Sequence, residues 1–240
     1  MSEILSFTNV TAGYGPVTVL NDLSMELRAG EILAVLGANG SGKSTVLKTA
    51  MGLTQVSEGS VMLAGKQITA MPAHQRAAGG LGYVPQTGNV FSDMTVWDNL
   101  RMGAFLRPKQ FATDVDEVFG LFPRVKERRS EKAGNLSGGE RRMLSIGMTL
   151  LIKPSILLLD EPSSDLAPST VDLVFESIAE IHSRLSVPIL LVEQNVNKAL
   201  AISSRVCVLV RGRQALDVPA KEIDTRHLHD LFMDGGVRTS

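Results

Sequence analysis

Eight consecutive residues, Gly37-Ala38-Asn39-Gly40-Ser41-Gly42-Lys43-Ser44, match the pattern G-x-x-x-x-G-K-[ST]. Glycines at these spacings let backbone N–H groups curl around phosphate oxygens, and a helix starting at the end of the loop adds partial positive charge. Lys43 is placed to reach the outer phosphates of a nucleotide. The Ser44 hydroxyl can ligate Mg²⁺, and Thr45 can support an inner phosphate.

More than a hundred residues later, "SILLLDEP" ends an apolar run in Asp160 and Glu161. A carboxylate beside a phosphate loop can hold Mg²⁺ through water, and a second can orient or deprotonate an attacking water. Between these two motifs lies "LSGGE", Leu136 to Glu140, at the start of a helical stretch. Ser137, Gly138 and Gly139 there offer a hydroxyl and free N–H groups at a helix N-terminus, a second anion-binding surface. One chain does not need two such surfaces for one terminal phosphate. Two chains paired head to tail, each closing the other's nucleotide site, would use both. A last polar edge appears in "VPILLVEQN", where a buried strand delivers Glu193, Gln194 and Asn195 to one end of a sheet.

The elements that must position these groups alternate. Residues 4–35 read as β-rich segments separated by turns, with "RAGE" as a hairpin turn. A helix should follow the phosphate loop and stop at Gly52; "GSVMLAGKQI" reads as a second hairpin, and "GGLGYVPQ" as a strand ended by Pro85. From about Thr95 to Leu151 the periodicity is helical, broken at Pro108, Pro123 and Gly134. "SILLLDEP" and "VPILLVEQN" are buried strands separated by the helix "STVDLVFESIAEIHSRL". Strands alternating with helices of this length predict an α/β fold with a central parallel sheet.

The chain has 240 residues, 44% hydrophobic and 20% charged, with 24 basic and 25 acidic side chains and a formal net charge of -1. Such a balance lacks the basic footprint of a nucleic-acid binder. A single cysteine, Cys207, sits in the apolar run "RVCVLV" and points to a reducing compartment. No apolar stretch approaches the roughly 18 residues that span a bilayer, and "MSEILSFTNV" lacks the features of a secretory signal. The composition therefore predicts a cytoplasmic protein, whose membrane role would come through a partner.

With "GANGSGKST", "LSGGE" and "LLLDEP" in this order, the chain resembles the ATP-binding subunits of ABC transporters over nearly its whole length. The resemblance implies a P-loop NTPase core with a mainly parallel central sheet, an N-terminal antiparallel β subdomain and an inserted α-helical subdomain. It implies one ABC ATPase domain over 1–240, with residues 1–86 and 154–240 as the core and 87–153 as the helical part carrying the signature. ATP and Mg²⁺ are the implied cofactors. Tyr14 matches the aromatic that stacks on adenine, and Gln86 the glutamine that reaches Mg²⁺ and links the core to the helical lobe. "SSDLAP" occupies the loop that faces an opposite subunit.

At finer resolution "LFPRVKERRSEKAGNLSGGE", "DLAP", "LLVEQN" and "MTVWDNLRMGAF" resemble the smaller ATPase of LIV-type branched-chain amino acid importers. That group implies a second ATPase subunit, identical or different, two permease subunits and, indirectly, a periplasmic binding protein. It also places the protein on the inner face of the membrane. The chain departs from the general ABC pattern at Ala167, at "GMTL", at Glu140 and at Gln194. Gln194 stands where a histidine usually senses the γ-phosphate, so the resemblance makes it an uncharged sensor. None of His74, His182, His227 and His229 lies near that strand end in sequence. Within "TGNVFSDMTVW", Trp97 is expected to pack inside the helical lobe and Asn89 to Phe91 to form a permease-docking patch. The run Arg124–Lys132 reads as a solvated helix face. An amide, urea, lipid or polysaccharide transporter, and an ABC ATPase with no transporter, remain as alternatives.

Overall fold

Two long strands open the chain, β1 (Glu3–Tyr14) and β2 (Val17–Arg28), which pair antiparallel around a turn at Gly15-Pro16. Both are interrupted by residues in the left-handed region, Asn9 at φ 50° and Asp22 at φ 53°. The Asn9 amide donates to the Asp22 carboxylate at 2.9 Å, so the two irregularities fasten to each other. Such bulges bend the ribbon while Leu5, Phe7, Val10, Leu20, Leu23 and Leu27 stay on its buried side. Next come β3 (Ile32–Leu36), α1 (Lys43–Ala50), β4 (Gln55–Leu63), β5 (Lys66–Gln67) and α2 (Ala73–Ala78). The β4–β5 hairpin forms as expected, and the antiparallel sheet has the order β2-β1-β4-β5.

The middle of the chain holds β6 (Leu81–Val84), α3 (Val96–Gly103), α4 (Phe111–Leu121), α5 (Pro123–Glu127), α6 (Gly138–Leu150), β7 (Ile156–Asp160) and α7 (Pro168–Leu185). The chain ends with β8 (Ile189–Val192), α8 (Val196–Ile202), β9 (Arg205–Val210) and β10 (Arg213–Pro219). This computed structural model describes residues 3–224 together with Leu228 and Phe232; His227 and His229 lie outside the described residues. The chain divides into two compact units, one of Met1–Arg76 with Pro188–Ser240, the other of Ala77–Val187.

In the first unit β3 is flanked by β8 and β9, parallel to both, and β10 adds antiparallel to β9. The core strands are near-continuous apolar runs, as burial on both faces requires. The "RAGE" turn differs from its expected role. It is not a hairpin, because β2 pairs with β1 whereas β3 pairs with β8 and β9. Glu31 explains the crossing. Its buried carboxylate accepts the Arg28 N–H at 2.6 Å and an Arg205 N–H at 2.8 Å, so the turn is anchored to β9. Cys207 is buried in β9, and burial pushes its thiol up to about 12.

In the second unit β6 and β7 run parallel. Trp97 of α3 packs edge-on to Phe111 at 5.0 Å and stacks near Phe119 at 6.2 Å between ring centroids, as expected for a residue inside the helical region. The Arg124–Lys132 run is mostly solvated, yet α5 covers only its first part, and Val125 and Ala133 anchor its ends. Among the described residues no helix is long and apolar enough to cross a membrane.

Candidate functional site

Each unit gathers its own set of groups. In the first, β3 ends at Leu36 and the chain turns through the loop Gly37–Gly42 into α1. Gly37 passes so close to the backbone that a Cβ would lie 2.5 Å from the Leu209 carbonyl oxygen. Gly42 caps α1 at φ 102°, a conformation that costs an L-residue with a side chain roughly 1–2 kcal/mol. Lys43 is the first residue of α1, and its ammonium donates back to the carbonyls of Gly37 at 2.9 Å and Ala38 at 3.0 Å. The cation is thus fixed inside the curl of the loop. Asn39 and Gly40 form the exposed tip, Ser44 is half-buried and Thr45 buried. The Ser41 hydroxyl is buried with no hydrogen-bond partner among the described residues.

The far end of α1 is held by Arg76, which the sequence reading had not singled out. Almost fully buried, it donates to the carbonyls of Thr49 and Ala50 at 2.8 Å each. A cation on the last carbonyls offsets the negative end of the helix dipole and keeps α1 aimed at the loop. Tyr14, at the end of β1, is 42% exposed, and Lys48 of α1 lies 5.9 Å from its ring centroid. The aromatic and the phosphate loop are therefore joined through one helix.

Strand register brings Gln194 to the same edge. Val35 is level with Val192, so Gly37 and Gln194 each follow two residues after the same rung of adjacent parallel strands. Carboxyl ends of parallel strands are where ligands bind in open α/β sheets. Glu193, 1% exposed, turns inward and accepts the N–H of Gln194 at 3.0 Å and of Asn195 at 3.2 Å. The Asn195 side chain caps α8. Of the three polar residues, only Gln194 is exposed.

The second unit repeats this logic. Val84 of β6 is level with Leu159 of β7, and two residues further along stand Gln86 and Glu161. The Gln86 amide donates to the Glu161 carboxylate at 3.3 Å, and the Tyr83 hydroxyl to Asp160 at 3.1 Å. Glu161 adopts φ 43°, a strained conformation for such a residue, and the following Pro162 disfavours the right-handed alternative.

Ser137 caps α6, but its groups are not free as expected. Its N–H and hydroxyl both donate to the Glu140 carboxylate, at 2.9 and 2.8 Å, and its oxygen accepts the Glu140 N–H at 3.3 Å. This reciprocal box was readable as S-x-x-E in the sequence. The N–H groups without an intrahelical acceptor are those of the first helical residues, Gly138 and Gly139. Arg128 pairs with Glu140 at 3.0 Å. A further group escaped sequence reading altogether: Arg142 of α6 donates to the carbonyls of Pro85 and Gln86.

A strand–loop–helix phosphate cradle on a parallel sheet, with paired carboxylates ending another strand, defines a nucleotide-hydrolysing class. Residues 20–164, more than half of the chain, match the ABC transporter family, and the protein belongs to it. It is an ATP-binding, ATP-hydrolysing subunit of an ABC transporter. The chain is 41% identical to the high-affinity branched-chain amino acid transport ATP-binding protein BraG of Pseudomonas aeruginosa, covering 97% of this chain and 100% of that protein. It is likewise 41% identical to the probable branched-chain amino acid transport ATP-binding protein LivF of Archaeoglobus fulgidus, over 92% and 94% of the two chains. Identity is 31%, over 88% of each chain, to the lipopolysaccharide export system ATP-binding protein LptB of Haemophilus influenzae. A solved ATP-binding cassette of an ABC transporter shares the fold with a TM-score of 0.88 and 23% identity, over 99% of this chain and 100% of that one.

Proposed function

We propose that this protein energises an importer of branched-chain or related amino acids, working as one half of a head-to-tail ATPase dimer beneath two permease subunits. Its place is then the inner face of the membrane, with a periplasmic binding protein supplying substrate from the other side. The observation that carries this reading is the 41% identity, nearly end to end, to two proteins named for branched-chain amino acid transport, against 31% to the lipopolysaccharide exporter subunit.

The residues suit ATP and Mg²⁺. The Ser41 hydroxyl, buried with no partner among the described residues, and the fixed Lys43 ammonium complement phosphate oxygens. Ser44, Asp160 and the Gln86 amide oxygen would each offer the kind of hard oxygen that Mg²⁺ takes beside its own waters and phosphates. Bound Mg²⁺–ATP supplies a terminal phosphoryl group that can pass to water. The chain does the rest. Tyr14 offers its ring face to the adenine. Gly37–Thr45 hold the phosphates through N–H groups, and Lys43 neutralises their charge. Glu161 orients the attacking water and takes its proton, while Gln86 steadies that carboxylate. Gln194 donates from its amide to the γ-phosphate. Ser137, Gly138 and Gly139 close the partner's nucleotide.

The test is assembly with the permeases and binding protein expected beside it, in liposomes. Binding protein loaded with leucine, isoleucine or valine should raise ATP turnover several-fold over the unloaded protein. Stimulation only by an amide, urea, lipid or polysaccharide substrate would overturn the amino acid assignment.

A further inference from the structure

Helix α6 carries its capped N-terminus and a grip on the Gln86 segment within a turn and a half of each other. Ser137 caps it, and five residues on, roughly 7 Å along the axis, Arg142 reaches across to the end of β6. Arg142 is only 9% exposed. Its Nη1 donates to the Pro85 carbonyl at 2.9 Å and its Nη2 to the Gln86 carbonyl at 2.7 Å. Three residues further, on the same helix face, the buried Ser145 hydrogen-bonds the Asn89 side chain. Between the Gln86–Asn89 segment and α6 lies a cavity of roughly 360 Å³, lined among others by Gly88, Val90, Arg142 and Ser145. Polar ties from Arg142 and Ser145 hold this segment to the helix beside the cavity. The segment leads directly to the carboxylate proposed as the base, because the Gln86 amide donates to Glu161 at 3.3 Å.

We infer that Arg142 is a positioning residue that makes the placement of Glu161 depend on the position of α6. A helix is stiff over one turn, so a shift at Ser137 is delivered to Arg142 nearly undiminished. The guanidinium holds two adjacent carbonyls in one planar fork, which the single ammonium of a lysine cannot reproduce. When a partner's nucleotide engages the N-terminus of α6, the link registers that event at Glu161 of the same chain. This rests on the nucleotide reading proposed above and adds the part that connects the two phosphate-binding ends of one protomer.

The experiment is a double-mutant cycle on the purified chain, with ATP affinity, binding stoichiometry and kcat measured for the wild type, Arg142→Met, Gln86→Ala and the double variant. Arg142→Met should bind ATP with unchanged stoichiometry and affinity within twofold, while kcat falls about 10- to 100-fold, the scale on which misplaced catalytic groups act. In the Gln86→Ala background the same substitution should cost less than a further twofold, because its route to Glu161 is already cut. Arg142→Lys, which restores one carbonyl bond, should recover part of kcat, and it replaces Arg142→Met in the cycle if that variant does not fold. Wild-type kcat in the Arg142 variants, or additive losses with Gln86→Ala, would overturn the inference alone. A wild-type chain without Glu161-dependent hydrolysis would overturn both it and the nucleotide reading.

Discussion

Ser137 and Glu140 satisfy one another at the N-terminus of α6, through donation from the Ser137 N–H and hydroxyl to the carboxylate and acceptance of the Glu140 N–H by the serine oxygen. The arrangement replaces the free serine expected there with a locked one. For the Ser137 hydroxyl to donate to a phosphate it would have to turn away from Glu140. Arg128, at 3.0 Å from the carboxylate, remains to balance the charge that Glu140 keeps.

The lock has a pH signature. Burial pushes the Glu140 carboxyl up, but the Ser137 hydrogen bonds and the charges of Arg128 and Arg124 outweigh it and hold the group below its ordinary value. A folded-state pKa below the unfolded value of about 4.3 means the stabilisation is complete above the unfolded value. It is lost as pH falls through the folded one. Glu140→Ala should therefore cost about 1 kcal/mol near pH 7, and measurably less at pH 3, below the unfolded carboxyl's ordinary value. Urea denaturation at both pH values checks this; an equal cost at both would contradict it.

Gln194 should sense phosphate without carrying charge. Because Glu193 fixes the backbone N–H of residues 194 and 195, Gln194→Ala removes an amide and leaves the strand end in place. An amide donor to a charged phosphate is worth roughly 1.5–3 kcal/mol, so hydrolysis should slow about 10- to 100-fold with ATP affinity little changed. Gln194→His should keep activity and gain a pH dependence around pH 6–7, near the ordinary imidazole value. An unaltered rate in Gln194→Ala would leave Gln194 as a plain strand end.

Phe91 should separate coupling from catalysis. Its backbone is held at both ends by the buried Asn99, which accepts the Phe91 N–H at 2.8 Å and donates to its carbonyl at 3.0 Å, yet its ring is 49% exposed. We propose that this exposed ring, carried on an anchored backbone, is part of the patch that docks the permease. Phe91→Asp should abolish permease-stimulated turnover and spare the basal rate, as read by ATPase assays with and without the permease complex. Loss of both rates together would remove the docking role.

What could be read from sequence and what could not divides along a physical line. The phosphate loop is a local motif whose eight residues fix its own geometry, and Asp160 and Glu161 follow from a strand that can end only one way. Trp97 was placed by the surplus of apolar residues in "TGNVFSDMTVW", more than a short loop can use. The "RAGE" turn was misread because Ala29-Gly30 suits a hairpin and a crossing between sheets equally; the decision lies in Arg205, 174 residues from Glu31. Arg142 left no signal because its acceptors are main-chain carbonyls 57 and 56 residues away, and a carbonyl has no residue type to search for. Glu193 was expected at the polar sheet edge beside Gln194 and instead turns inward as a backbone anchor, since a strand-end glutamate can face inward or outward with the same sequence.

The central claim is that Glu161 takes the proton from the water that attacks ATP held by the Gly37–Thr45 loop. Glu161→Gln keeps the side chain's size and its hydrogen bond with Gln86 while removing the base. The most direct measurement is steady-state phosphate release beside equilibrium ATP binding for this variant. The account predicts wild-type affinity with turnover reduced at least about 1,000-fold, well beyond the loss expected for Gln194→Ala. Turnover within tenfold of the wild type, at equal ATP occupancy, would contradict it.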